Sequence, residues 1–319
     1  EMFGKSKKDF LSKFLKLPNG IPSHDTINRV FSLIRADKFE QLFIKWAQSL
    51  KDSGISKEVI AVDGKNLRGS RDSYHNKAGI HLVNAWANSN GLVLGQMEAS
   101  DKISETAVIP ELLKILDIEG CIITMDALYT QKKIAKNIVE QEADYILAVK
   151  DNQGYLKENV ENAFLNQKPE SVDTSIEKGH GRIETRTCEM INMLDLFDLK
   201  EQWAGLKSLA RVTARREIRD KTTSEVRLYI SSVEANAKDF NSFIRQHWAV
   251  ENSLHWTLDV TFREDAQRKR NGRAAQNFAL AQKIALNMLR KEESKRMSLK
   301  NKRLVAAWDN EFLLKILTI

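Results

Sequence analysis

A chain of 319 residues, 42% hydrophobic and 29% charged, carries a formal net charge of +7 and an isoelectric point near 9.2. That length fills one elaborated domain or two, and the basic balance favours polyanionic partners. Two isolated cysteines, Cys121 and Cys188, with no C-x-x-C pair argue against a disulfide framework and a structural zinc site. They suit a reducing cytoplasm, and no apolar run approaches the roughly 18 residues of a membrane span.

The opening stretch, Glu1 to Lys16, is charged and amphipathic, unlike a signal peptide. It enters mid-pattern without an initiating methionine, so some N-terminal sequence is expected to be missing. Residues 1–55 read as a helical domain. Phe10, Leu11, Phe14, Leu15 and Leu17 form an apolar stripe, and Pro18-Asn19-Gly20-Ile21-Pro22 breaks it. Ser23 or Asp25 is placed to cap a helix carrying Ile27, Val30, Phe31 and Ile34, and a second helix is expected over Phe39 to Leu50. From residue 56 the period changes to strand-like runs at 58–63, 79–87 and 91–98. A helix at 105–117 follows, with Ser104 as its expected cap, then a strand at 120–126, a helix at 130–141, a strand at 143–149 and a helix at 152–166. Three meandering strands followed by alternating helices and strands predict an α/β fold, a mixed sheet flanked by helices in ribonuclease-H-like order over residues 56–166.

Residues 167–238 read as a β-rich insertion, with half-exposed strands at 182–191, 208–218 and 224–233. Residues 239–319 return to helix and are expected to complete the core. In this part Phe278, Ala281, Ile284, Ala285 and Met288 line one predicted face. The positive charge gathers late, in Arg263, Arg268, Lys269, Arg270 and Arg273, and again between Arg290 and Arg303.

Two apolar runs end in aspartate, Val59-Ile60-Ala61-Val62-Asp63 and Cys121-Ile122-Ile123-Thr124-Met125-Asp126. An unpaired charge at the end of a buried strand is costly, so each asks for a partner, and a divalent ion is the economical one. If the two strands are neighbours, both aspartates project at the same end, where ligands of open α/β sheets collect. Gly64 lets the chain turn and a ligand approach. Glu251 is the third carboxylate, on a helical face shared with His247 and His255 at i, i+4 and i+8. Asp259, Glu264 and Asp265 are its rivals. Glu264 ranks second, since Arg263 to Arg268 reads as a surface ion-pair network. A zinc hydrolase built on His247, Glu251 and His255 lacks the H-E-x-x-H spacing. For phosphate contacts the candidates are Lys65, Arg68 and Arg71 after Asp63, Arg182 and Arg186 in the Gly179-to-Arg186 hairpin, and Lys150, Asn152 and Gln153.

Five motifs run in order along nearly the whole chain. They are Leu17-Pro-Asn-Gly-Ile-Pro-Ser-His-Asp-Thr26, Ala61-Val-Asp-Gly-Lys-Asn-Leu-Arg-Gly-Ser70, Thr124-Met-Asp-Ala-Leu-Tyr-Thr-Gln131, Lys178-Gly-His-Gly-Arg-Ile-Glu-Thr-Arg186, and the stretch His247-Trp-Ala-Val-Glu-Asn-Ser-Leu-His255 continued to Asp265. On them the chain resembles a DDE transposase of bacterial insertion sequences, of the ISAs-type group that includes the H-repeat-associated proteins of Rhs elements. The resemblance implies a ribonuclease-H-like catalytic core behind a helical associated domain, and a triad of Asp63, Asp126 and Glu251. It implies metal-dependent cleavage of double-stranded DNA at transposon ends, strand transfer, and a homodimer on DNA. Two magnesium ions, replaceable by manganese, suit that triad. Related transposases carry Tyr-x2-Arg-x3-Glu-x6-Lys around the glutamate. Here Ile244, His247 and Leu258 stand at the Tyr, Arg and Lys positions, so DNA contacts are expected from Arg245, His247, Arg263 and Arg268. The alternatives are a nuclease that cuts without joining and a DNA-binding protein that keeps the fold without activity.

Overall fold

The computed structural model describes residues 1–319 except 53–56, 73, 75–77, 100–103, 180, 193–196 and 220. Four helices open the chain: α1 (Met2–Ser6), α2 (Lys8–Leu11), α3 (His24–Leu33) and α4 (Ala36–Ser49). Ser23 caps α3 by accepting the Thr26 N–H at 3.1 Å, which satisfies one of the orphan donors of the first turn. The boundary expected near residue 55 falls outside the described residues, as does His180 of the hairpin motif.

The strands are β1 (Val59–Leu67), β2 (Ile80–Ala87), β3 (Leu92–Ala99), β4 (Ile122–Met125), β5 (Asp144–Val149), β6 (Ser171–Gly179), β7 (Arg182–Ile191), β8 (Ser208–Ile218) and β9 (Lys221–Ser231). They form one sheet in the order β3-β2-β1-β4-β5-β9-β8-β7-β6. β1, β2 and β3 are antiparallel neighbours, while β4 and β5 run parallel to β1. That half is the ribonuclease-H-like arrangement, with crossovers through α5 (Glu105–Ile115) and α6 (Lys132–Val139). Ser104, at the N-cap position of α5, makes no capping bond.

The β-rich segment after α7 (Gly154–Asn166) has four strands, β6 among them unanticipated because it is mostly polar and its apolar Val172 and Ile176 are on the exposed side. Antiparallel pairing of β9 with β5, Leu147 opposite Ile230, joins these strands to the core sheet. A short α8 (Phe197–Gln202) lies between β7 and β8. Two buried clusters cover the faces. One gathers Ile60, Val62, Ile123 and Leu147 with Leu112 and Leu113 of α5 and Ile134 and Ile138 of α6. The other puts Val59, Ile122 and Ile146 under Phe240 and Ile244 of α9 (Ala237–Ala249). Each such side chain contributes roughly 1.5–3 kcal/mol on burial.

After α9 come α10 (Trp256–Val260), α11 (Ala274–Lys291), α12 (Leu299–Trp308) and α13 (Asn310–Leu317). On α11 the expected face is not the most deeply buried one. Phe278, Ala281, Ile284, Ala285 and Met288 are half-buried, whereas Asn277, Lys283 and Asn287 are at most 1% exposed. Specific partners make this row tolerable. Asn277 donates to the carbonyls of Phe31 and Ile34, and Asn287 exchanges two hydrogen bonds with the Val93 backbone of edge strand β3. Among the described residues, no helix is long and apolar enough to cross a membrane.

Candidate active site

In the parallel β1/β4 ladder, Val62 lies opposite Met125. One residue further along, Asp63 and Asp126 are therefore side by side, Asp126 just past the end of β4 and Asp63 still within β1, which runs on past the expected end at residue 63 to Leu67, paired with β2. The Asp63 Oδ1 accepts the Gly64 N–H at 2.9 Å, and its Oδ2 sits 3.5 Å from His255 Nδ1. Gly64 is required by close approach, since a Cβ there would stand 2.4 Å from the Tyr129 hydroxyl and 2.6 Å from Glu105 Oε2. Asp126 caps a short 3-10 turn, Ala127–Tyr129, accepting the Ala127 N–H at 2.8 Å and the Lys150 ammonium at 3.2 Å. Asn152 and Gln153, candidates for phosphate contact, instead donate to the Ala127 and Thr130 carbonyls, each at 2.8 Å, and brace that turn.

The two aspartates are electrostatically unequal. Burial pushes the Asp63 carboxyl up to about 7; the Gly64 N–H opposes this, while the charges of Asp126, Glu251 and Glu105 reinforce it. Burial also acts upward on Asp126. There the Ala127 N–H and the Lys150 ammonium outweigh it and hold the carboxyl below its ordinary value.

Glu251 lies on a π-helical segment, Val250–His255, inserted between α9 and α10. Single π turns inside helices recur at functional sites. Here the geometry has a reason. Residues four apart overshoot a full α-turn by about 40°, so a row at 247, 251, 255 and 259 drifts off its face unless a wider turn compensates. With the π segment in place, His247 Nδ1 sits 3.0 Å from Thr124 Oγ1 of β4, His255 faces Asp63, and Asp259 binds Lys65 of β1 at 2.6 Å. Glu251, the remaining member, is exposed, and its carboxylate has no hydrogen-bond or ion-pair partner among the described residues.

Three sequence expectations land elsewhere. His247 is only 8% exposed and is pushed by burial to about 4, so it is a neutral ring engaged with Thr124 and turned away from solvent. His255 is likewise pushed down to about 4, first by burial and then by Lys65 and Lys283. Lys65 is buried between Asp259 and Glu264, the latter at 3.0 Å. Glu264 is 3% exposed and also pairs with Lys283 at 3.3 Å, so the segment from Arg263 to Arg268 is more than a surface network. Hydrophobic neighbours and the chain reversal after α10 bury it, which spacing alone does not reveal.

Two charge clusters thus lie two residues apart on β1. Lys65 and Lys283 against Asp259 and Glu264 are balanced, two of each sign. Asp63, Asp126 and Glu251 have one lysine, Lys150. The second cluster is the one that asks for added positive charge. Its donors are all oxygens, as hard divalent ions require. Two buried polar atoms beside Asp63 lack hydrogen-bond partners among the described residues, His255 Nε2 and the Oδ1 of Asn84, which stands opposite Asp63 on β2. Among the described residues no three His, Cys, Asp or Glu side chains are gathered closely enough to enclose an ion. The fit therefore rests on the aspartate pair, with Glu251 on the helix above it.

Next to Glu251 opens a groove of roughly 640 Å³ between α9 and the strands β6 to β9, and Arg182, Arg186 and Arg245 line it. So do Arg216 and Arg227, which spacing along the chain does not reveal because cross-strand register places them there, Arg216 opposite Glu184. These arginines are held by Glu177, Glu184 and Glu225, and Arg227 also lies 4.2 Å over the Trp248 ring. Arg68, Arg71, Arg263 and Arg268 are exposed but do not line this groove.

A family model described as Transposase DDE domain matches residues 54–288, and one described as DDE_Tnp_1-associated matches residues 1–47. The "Putative transposase YncI" of Escherichia coli O157:H7 is 42% identical over 99% of this chain and 83% of its own length. The "H repeat-associated putative transposase YhhI" of Escherichia coli K12 is 41% identical over 99% of this chain and 86% of its own. Among solved structures, the cryo-EM structure of the piggyBac transposase synaptic complex with hairpin DNA matches with a TM-score of 0.43 and 14% identity, covering 93% of this chain and 61% of that one.

Proposed function

Because the chain belongs to the transposase DDE domain family, we propose that Asp63, Asp126 and Glu251 are its catalytic triad, cleaving phosphodiester bonds at transposon ends and joining the freed strands to target DNA. The observation that carries this is the β1/β4 register, which sets Asp63 beside Asp126, where β4 ends, in a cluster short of positive charge. Magnesium ions, two of them and replaceable by manganese, supply Lewis acidity and an activated water when bound by these carboxylates.

The protein's own residues do the rest. Asp63 keeps Oδ2 clear of backbone bonds while the Gly64 N–H fixes Oδ1. Lys150 and the Ala127 N–H keep Asp126 ionised and aimed from its turn. Glu251 reaches from the helix with its carboxylate free of a competing partner among the described residues. The arginine groove beside it offers charge-assisted contacts to the phosphates of double-stranded DNA, held ready by glutamates that a phosphate displaces. A homodimer on DNA would bring two ends together.

The test is nicking and joining of end-labelled DNA carrying the flanks of the gene, with Mg²⁺ or Mn²⁺ and an Asp126→Ala control. Metal-dependent 3′-end cleavage lost in the variant supports the triad, and joined products support transposition. Cleavage without joining favours a nuclease. DNA binding with no cleavage in any metal refutes the catalytic reading.

A further inference from the structure

Lys65 stands two residues beyond Asp63 in β1, on the same face of the strand, and its side chain is 9% exposed. Its ammonium binds Asp259 at 2.6 Å and Glu264 at 3.0 Å. Asp259 stands four residues beyond His255, which faces Asp63. Two residues of strand advance by about 6.7 Å, and four residues of α-helix by about 6 Å. The helix therefore meets the strand tooth for tooth, His255 on Asp63 and Asp259 on Lys65. At the other end of the segment His247 is bound to Thr124 of β4. A one-tooth slip would break the pairings of His247, His255 and Asp259 together.

We propose that the Lys65–Asp259 pair is a clamp that holds the Glu251 segment in register over Asp63 and Asp126, so that Lys65 and Asp259 are positioning residues for the triad and not contacts for DNA. The proposal rests on the triad reading above. The clamp is balanced without any bound ion, because Lys65, Asp259, Glu264 and Lys283 neutralise one another. It can therefore hold the register before the carboxylate cluster is filled. Glu264 and Lys283 extend the anchorage into α11, where Lys283 is 1% exposed.

The test uses the full chain in three variants, Asp259→Asn, Lys65→Met and Asp259→Glu. Asp259→Asn leaves Lys65 bonded to Glu264, so the fold is retained. Calorimetric titration with Mn²⁺ reads the site directly. Outer-shell partners of metal ligands typically matter by about 10–100-fold, and Asp259→Asn and Lys65→Met are expected to weaken Mn²⁺ binding by that order. They should raise the Mn²⁺ needed for half-maximal nicking while binding of end DNA in chelator stays at the wild-type level, and Asp259→Glu should restore both. Unchanged Mn²⁺ affinity in Asp259→Asn overturns the clamp. So does a Lys65→Met protein that keeps its Mn²⁺ affinity but loses DNA binding with a shallower salt dependence, which would make Lys65 a phosphate contact. Parallel loss of Mn²⁺ and DNA binding with no rescue by Asp259→Glu also overturns it. If the wild-type protein itself binds no Mn²⁺, the triad reading fails instead.

Discussion

Asp63 is held by burial, and by the charges of Asp126, Glu251 and Glu105, at about 7 in the ion-free protein. An aspartate raised in the folded state binds its proton more tightly there than in the unfolded chain. Its contribution to stability is complete below the unfolded value near 4 and is lost as pH rises through about 7. The difference is at most roughly 4 kcal/mol, and smaller because 26% of the side chain is exposed. In chelator, wild-type melting temperature should therefore fall between pH 5 and pH 8, more steeply than that of Asp63→Asn. Glu40, also raised to about 7, by burial, is common to both proteins and cancels in the comparison. Added Mg²⁺ should recover the loss at pH 8 in the wild type only; identical pH profiles for the two proteins would show that Asp63 is not under this load. The neighbouring Gly64→Ala forces a Cβ into the Tyr129 hydroxyl and Glu105. It should cost about 1–3 kcal/mol in urea unfolding and shift Asp63 with it.

At the scale of elements, the helix carrying Glu251 and the polar row of α11 follow one rule: a buried polar group is tolerable where its geometry is met in full. The side chain of Asn287 imitates a strand by accepting the Val93 N–H at 2.9 Å and donating to the Val93 carbonyl at 2.8 Å. It closes an edge that would otherwise be open to another chain. Asn287→Leu, of similar shape, should leave both backbone groups unmet at about 1–3 kcal/mol each. Urea denaturation would read this, and a change below the uncertainty of that measurement would mean that the edge finds another partner. The π segment is the companion case, an irregular turn that keeps His247, Glu251, His255 and Asp259 on one face.

Across the whole molecule, pairing β9 with β5 makes the β-rich segment one wall of the groove whose other wall is α9. The proposed catalytic carboxylates and the arginines thereby become neighbours although about half of the chain's length separates Asp63 from Arg227. Removing one cation that neutralises a DNA phosphate lowers the salt dependence of binding by about one unit of slope. Arg182→Ala with Arg186→Ala should therefore weaken binding of all DNA sequences alike and flatten the slope of affinity against salt by up to about two. A loss confined to one end sequence would instead mark these arginines as base readers.

What was legible in the sequence was what local chemistry encodes. Apolar runs ending in Asp63 and Asp126, the Ser23 cap, the order of strands and helices from 58 to 166 and the four-residue spacing of His247, Glu251 and His255 all follow from side-chain period and short-range hydrogen bonding. The family resemblance lay in the same motifs. Partner choice lay beyond it, because a lysine, an arginine and a histidine carry the same pattern whether they meet solvent, phosphate or a buried carboxylate. Only the packing of α10 onto β1 made Lys65 a buried ion-pair member, only the approach to β4 turned His247 inward, and only cross-strand register brought Arg216 and Arg227 to the groove. Those outcomes depend on residues far apart in the chain meeting in space, and burial, which decides what each charge is for, exists only once they have met.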